Sequence, residues 1–171
     1  MKHLNWMAGV LSGLCLAGCV SLSPTVQAQF SQIVFAALTR SPDALQSAAD
    51  AGDGHAQLSY ALVLQYGLNG ATPDDGQAGY YRQMATAARG STTSAVYVPG
   101  YRKAPGHTQL ITMPQYDVTE REAQSAQACA ELLAEGAEGR DVANKTESGV
   151  CGGPQNYARL AGLWQRARSQ R

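Results

Sequence analysis

The chain has 171 residues, of which 15% are charged, with 13 basic and 13 acidic side chains. Without the N-terminal segment described below, about 150 residues remain, which is enough for one domain with a single hydrophobic core. Few and balanced charges predict no face basic enough to neutralise a run of phosphates, so the composition argues against nucleic acid as a partner. The one local exception is an arginine-rich end, which is explained by cations in a last helical turn: Arg159, Arg166, Arg168 and Arg171.

The first thirty residues have the anatomy of an export signal. A short polar start, MKH, precedes an apolar stretch over residues 6 to 18 that is too short to span a bilayer as an ordinary helix. It ends in LAGC, which resembles the bacterial lipobox and makes Cys19 the expected lipidation site after a signal peptide of residues 1–18. Val20 resembles an outer-membrane sorting signal, which predicts an outer-membrane lipoprotein facing the periplasm.

Two alternatives to lipidation remain open. Residues 24 to 29, PTVQAQ, resemble a second kind of cleavage site, with a cut after Ala28. That cut would remove residues 1–28 and leave a soluble periplasmic protein. In the other alternative, Cys19 is simply one more apolar residue of a longer signal.

Export changes the interpretation of the later cysteines, because disulfides persist outside the reducing cytoplasm. Cys129 and Cys151 fit no zinc or redox spacing, so a disulfide between them is the leading prediction. A bridge closing a loop of this length would stabilise the fold by ~3 kcal/mol in the chain-entropy model. A pair of buried free thiols is the alternative.

Residues 19–40 are expected to form a tether and a first helix. The residues after them, 41–168, carry further helix signals and are predicted to form a helical domain. Ser41 and Pro42 predict the start of a helix that ends near Gly52. Apolar residues at helical spacing predict the next helix from about residue 55 to residue 66, ended by Gly67 and Gly70.

A third helix is predicted to begin at Thr72, Pro73 and Asp75 and to continue to about Arg89. Small and aromatic residues fall along one side of it, so it is expected to fold back on the preceding helix across a short loop. They are Ala78, Tyr81, Ala85 and Ala88. The two helices would form an αα-hairpin.

Residues 48 to 88 resemble the Sel-one-like repeat, a tetratricopeptide-related unit of two antiparallel helices. The matching residues are Ala48, Ala49, Gly52, Asp53, Ala56, Gln57, Leu58, Tyr66, Gly67, Gly70, Asp75, Ala78, Tyr81, Ala87 and Ala88. Such repeats need stacked neighbours, because one pair cannot bury its own apolar face. Residues 30 to 52 are a candidate for a shortened upstream pair.

The resemblance also implies a second, degenerate pair over residues 118–135 and 154–168, since AGLWQR near the end of the chain echoes AGYYRQ in the first pair. Cys129 would lie on the first helix of this pair and Cys151 just before the second, as in cysteine-rich members of the family. The implied fold class is mainly α, a short α-solenoid of antiparallel helix pairs.

An insertion at about 91–117 interrupts the repeats. Its prolines forbid a long helix, while the segments AVYV and TQLITM favour strands, so a β-hairpin or an ordered loop is predicted. Its aromatic and imidazole side chains, Tyr97, Tyr101, His107 and Tyr116, are the candidate partner-binding residues. The alternative is that the tyrosines pack the insertion onto the helices.

No sequence motif predicts chemistry. His55 and His107 have no ligand spacing to a carboxylate or thiol, and phosphate-loop, dinucleotide and nucleophile-elbow motifs are absent. We therefore expect no catalytic residue, metal or cofactor.

The predicted function is a non-catalytic protein-protein interaction module in the cell envelope. Its expected partner is an unknown envelope protein, and a lipid on Cys19 would provide contact with the membrane. The alternative is a cell-wall-related hydrolase or ligand-binding protein, which some disulfide-rich relatives of the repeat family resemble.

Overall fold

The computed structural model describes residues 24–101, 105–136 and 140–170. The chain is mainly helical, with one small antiparallel sheet. The helices are α1 (Pro24–Thr39), α2 (Pro42–Asp50), α3 (Gly54–Tyr66), α4 (Asp75–Ala85), α5 (Glu120–Glu135), α6 (Arg140–Glu147) and α7 (Pro154–Arg168). The strands β1 (Gly90–Val98) and β2 (His107–Gln115) lie between α4 and α5, and a 3₁₀ turn covers Val150–Gly152. Cys19 and the signal segment 1–18 lie outside the described residues.

The predicted pair of helices is present in α3 and α4, which pack against each other across the loop of residues 67–74. Gly67 ends α3 in the left-handed conformation with φ of 57°, which a glycine adopts without a steric penalty. Rings of Tyr60 and Tyr81 meet edge to face, with centroids 5.0 Å apart. Aromatic rings as well as small residues therefore pack between the two helices.

Two details of α4 differ from the prediction. Its N-cap is Asp74, whose side chain accepts a 2.9 Å hydrogen bond from the backbone N–H of Gln77, and not Thr72. The helix ends at Ala85 and does not continue to Arg89, because the chain turns there into β1. Ala88 is consequently exposed and lies outside the seam that it was expected to join.

The other residues of the repeat pattern divide into packing and turn positions. The packing positions are the buried Ala49, Ala56, Leu58, Ala78 and Tyr81 and the half-buried Ala48 and Tyr66. The turn positions, all with positive φ, are Gly52, Gly67 and Gly70. Asp75 is exposed in the first turn of α4.

Helix α1 lies at the centre of the packing. A helical stripe of Ile33, Val34, Ala37 and Leu38 is buried, and the helix contacts α3, α5 and α7. The helices before the sheet and the helices after it therefore share one hydrophobic core, to which α1 belongs. No helix in the described ranges is both long and apolar enough to cross a membrane.

The second group of helices carries the disulfide. A reciprocal capping box between Thr119 and Glu122 starts α5, and α7 spans the residues predicted for it. Cys129 and Cys151 are bonded, with a Cα–Cα distance of 4.9 Å, and both are fully buried. The predicted bridge is thus confirmed, while the short helix α6 between its cysteines was not predicted.

Candidate partner-binding hairpin

The two strands form a hairpin, residues 90–115, with an uninterrupted register. Nine residue pairs run from Gly90 with Gln115 to Val98 with His107, and no bulge interrupts them. Thr93 and Thr112 face each other with hydroxyl oxygens 3.1 Å apart. Neither strand contains an aspartate, glutamate, lysine or arginine. The hairpin predicted as one of two possibilities is therefore a regular ribbon without carboxylate, ammonium or guanidinium groups.

Apolar side chains cover both faces of this hairpin. Since side chains alternate along a strand and paired residues share a face, one face carries Ala95, Tyr97 and Leu110. The other face carries Val96, Ile111 and Met113. Among the described residues, all exposed large apolar side chains except Phe35 and Tyr80 lie between residues 96 and 116. Leu110 alone is 70% exposed.

The four residues predicted to bind a partner do not form one cluster. Tyr97 and His107 lie near the tip of the hairpin on opposite faces, and Tyr101 lies in the connecting segment. Tyr116 follows the last residue of β2 and lies at the root, about 30 Å from the tip at the usual rise of a strand. The exposed fractions are 67% for Tyr97 and 75% for Tyr101, so most of the surface of each ring is accessible.

Tyr97 also has a local role in the turn. A Cβ atom added to Gly106 would overlap the hydroxyl and ring of Tyr97, so the glycine makes room for the tyrosine to fold across the end of the ladder. Only part of this side chain's surface is thus available to another molecule.

The exposed aliphatic residues of the hairpin were missed from sequence. Val96, Leu110, Ile111 and Met113 belong to the strand-prone segments, but the sequence prediction of contact groups covers only the aromatic and imidazole side chains. A usable signal was the lack of alternation in TQLITM, in which apolar residues occur at adjacent positions and so point to both faces.

A groove of about 600 Å³ lies between α2, α3 and the loop before α4. Its walls include Asp43, Asp74 and Tyr60, and the hydroxyl of Tyr60 donates to Oε1 of Gln46 at 3.1 Å. Burial raises the pKa of Tyr60, and the neighbouring carboxylates raise it further. A phenol of this kind stays protonated at neutral pH and is a poor general base.

A second groove, of about 420 Å³, lies beside α1 and contains His55, Asp53 and Ser59. The serine hydroxyl hydrogen-bonds to the backbone oxygen of Ile33 at 3.0 Å and to that of His55 at 2.8 Å. The single hydroxyl proton is shared between these two main-chain carbonyls, and Ser59 is only 1% exposed. The groove therefore contains no serine placed for nucleophilic attack by hydrogen bonding to an imidazole.

A polar network occupies the region between α3, α4 and α5. Nη2 of Arg82 donates to Oε1 of Gln65 at 2.5 Å and to Oε1 of Gln127 at 3.2 Å. The amide of Gln127 donates in turn to the hydroxyl of Tyr66 at 3.1 Å and to Glu131 at 3.0 Å. Burial raises the pKa of Tyr66, and the charge of Glu131 adds to the effect. The network joins three helices and needs no ligand to explain its arrangement.

No group of three or more histidine, cysteine, aspartate or glutamate side chains in the described part of the chain could hold a metal ion.

Comparisons with protein-family models, curated proteins and solved structures give no match to the chain. The resemblance to Sel-one-like repeats accordingly rests on the residues of the chain alone.

Proposed function

We propose that the protein is a non-catalytic protein-protein interaction module of the cell envelope, built on a short Sel-one-like solenoid of helix pairs, and that the hairpin contacts its partner. The observation that carries the proposal is the exposure of Val96, Leu110, Ile111 and Met113 on a projecting ribbon. Exposed apolar patches on soluble domains commonly mark interaction sites.

The hairpin has only two strands and an unprotected edge, and both properties support a protein as its partner. An isolated two-stranded ribbon is marginally stable in water, and it gains stability when a further strand or an apolar surface covers it. Natural proteins usually protect strand edges with charges, bulges or prolines, yet β1 has none of these over its nine residues. An extended segment of a partner could pair with β1 through main-chain hydrogen bonds.

The helix pair supports the repeat interpretation. Ala56, Ala78 and Tyr81 of the pattern are buried on α3 and α4, and the pattern's Gly52, Gly67 and Gly70 occupy the turns. The buried disulfide supports export, because such bonds form and persist in oxidising compartments. Lipidation of Cys19 would then keep the module at the outer membrane.

The decisive experiment uses a photo-crosslinking amino acid at position 110 of the full chain, in cells that export it. We expect a crosslink to a specific envelope protein from position 110. The same amino acid at position 80, which replaces an exposed tyrosine on α4, is the matched control and should give no such product.

The identified partner is then tested as a purified protein. Replacing residues 91–116 by a short Gly/Ser linker should abolish its binding while circular dichroism keeps the helical signal. Leu110→Ser should weaken binding by roughly 10- to 150-fold, since burying a leucine contributes ~1.5–3 kcal/mol. Unchanged binding by a folded linker variant would refute the proposal and move the contact to the helices.

A further inference from the structure

We propose that Arg89 is a positioning residue that fixes the direction in which the hairpin leaves the helical body. The inference rests on the proposed function for its biological consequence, because direction matters only if the hairpin meets a partner. Three residues form the hairpin clamp, namely Arg89, Asp117 and Gln57.

The first half of the clamp joins the two ends of the insertion. Arg89 directly precedes β1, and Asp117 follows β2 by two residues. Nε of Arg89 lies 3.2 Å from Oδ2 of Asp117, and the backbone N–H of Arg89 donates to the carbonyl of Gln115 at 2.8 Å. One arginine therefore closes the root of the ribbon with its side chain and with its main chain.

The second half of the clamp ties this root to the helices. Nη2 of Arg89 donates to Oε1 of Gln57 at 2.7 Å, while Nε2 of Gln57 donates to the backbone oxygen of Ala49 at 2.9 Å. Gln57 is 2% exposed, so both ends of its amide are used in a buried site. Since only the amide oxygen can accept from the guanidinium, the bond to Ala49 fixes the orientation in which Gln57 receives Arg89.

Close packing at Gly54 adds a steric element. A Cβ on this first residue of α3 would come within 2.7 Å of the Cβ of Asp117, which places the aspartate directly against the helix backbone. Asp117 thus cannot approach α3 more closely, while its carboxylate is paired with Arg89.

The clamp matters because the strands provide little other attachment. Along β1 and β2 only Ser94 and Val98 are even half-buried. The ladder maintains the shape of the ribbon, but it does not determine the angle between the ribbon and the helices. For a ribbon about 30 Å long, a tilt of ~10° at the root moves the tip by ~5 Å.

The test follows the hairpin's direction through a distance to the helices, without any partner. Spin labels are attached to cysteines introduced at Gln109 on the hairpin and at Gln83 on α4, both exposed, and their separation is measured by pulsed electron paramagnetic resonance. We expect Arg89→Gln to broaden the distance distribution several-fold while circular dichroism stays unchanged. Glu135→Gln removes the exposed ion pair between Glu135 and Lys145, 3.6 Å, and should leave the distribution as it is.

An unchanged distribution in folded Arg89→Gln would overturn the inference. If that variant does not fold, Asp117→Asn carries the same test, with broadening expected and a wild-type distribution contradicting it. A control pair of labels on β1 and β2 should keep its distance in both variants.

A second experiment measures the effect of the clamp on binding. It compares how much crosslinked product forms between position 110 and the proteins of isolated envelope membranes. Arg89→Gln should lower this yield several-fold. A broadened distribution with an undiminished yield would overturn the positioning role while leaving the proposed function intact. Absence of the crosslink from the wild-type chain would instead count against the proposed function, and the distance measurement would still judge the clamp.

Discussion

The hydroxyl of Tyr81 on α4 donates a 2.7 Å hydrogen bond to Oδ1 of Asp50, the last residue of α2. This bond to a carboxylate, together with burial of the ring, raises the pKa of Tyr81 to about 12. Tyr60 packs edge to face against the same ring. The contact therefore joins α2 to the α3–α4 pair through one phenol.

Tyr81→Phe should lower the free energy of unfolding by ~1.5 kcal/mol at neutral pH, because a hydrogen bond to a charged acceptor is lost while Asp50 remains hydrated at the surface. The measurement is urea unfolding followed by circular dichroism. Tyr80→Phe is the matched control, since its ring is 58% exposed, and it should change stability by much less.

The raised pKa also predicts a dependence of stability on pH. The folded state holds the Tyr81 proton more tightly than the unfolded state does, so the contribution is complete below pH 10 and is lost as the pH rises from 10 through about 12. The stability of wild type should therefore fall more steeply over this range than that of Tyr81→Phe. Burial raises the pKa of Tyr60 and of Tyr66 as well, so part of the slope should persist in the variant. Parallel curves for the two proteins would contradict the assignment.

The disulfide gives a second prediction. Replacing both Cys129 and Cys151 by alanine should lower stability by ~3 kcal/mol and the thermal midpoint by roughly 10 °C, because the unfolded chain regains the freedom of a closed loop. Both sulfurs are fully buried, so dithiothreitol should reduce the bond slowly in native protein and quickly in urea. Two titratable thiols in denatured, unreduced protein would rule out the bridge in solution.

Gly54 provides a third prediction that opposes ordinary helix propensity. Gly54→Ala should destabilise the protein by about 1–3 kcal/mol, because the new methyl group would lie too close to Asp117. Gly79→Ala in the exposed middle of α4 meets no atom within 4 Å and should stabilise by about 0.5–1 kcal/mol. Thermal unfolding of the two variants checks the opposite signs, and a stabilised Gly54→Ala would show that Asp117 moves away freely.

A fourth prediction concerns the lipid attachment and the cellular location of the protein. Mass spectrometry of the mature N-terminus should find a diacylated Cys19, and the protein should fractionate with membranes. Cys19→Ser should then abolish lipid attachment, whereas Cys15→Ser should not. A mature chain that begins at Gln29 would instead establish the alternative cut and a soluble periplasmic protein.

The sequence predicted the helix pair well because its signals are local. Gly67 ends α3 where the sequence predicts it, and Pro42 starts α2. Local signals do not fix the start of α4, since Thr72, Asp74 and Asp75 can all accept a backbone hydrogen bond and only the folded geometry selects Asp74. Helix α6 has almost no apolar residues, so periodicity could not reveal it.

Long-range features could not be read in the same way. Nothing in the spacing of Ile33, Val34, Ala37 and Leu38 says which helices will cover them, and the contacts of α1 with α5 and α7 emerge only in the fold. Strand propensity predicted a hairpin as one possibility, but the register that separates Tyr97 from His107 depends on pairing that composition does not specify.

The central position of α1 has a consequence for biosynthesis. This helix is made before every other described element, yet one of its packing partners, α7, is made last. Contacts between segments so distant in sequence form late and slowly, so the shared core cannot close while the chain is still being synthesised. The core is therefore completed only after α7 has been made, an order of contacts that suits the threading through a translocation pore which the proposed export would require.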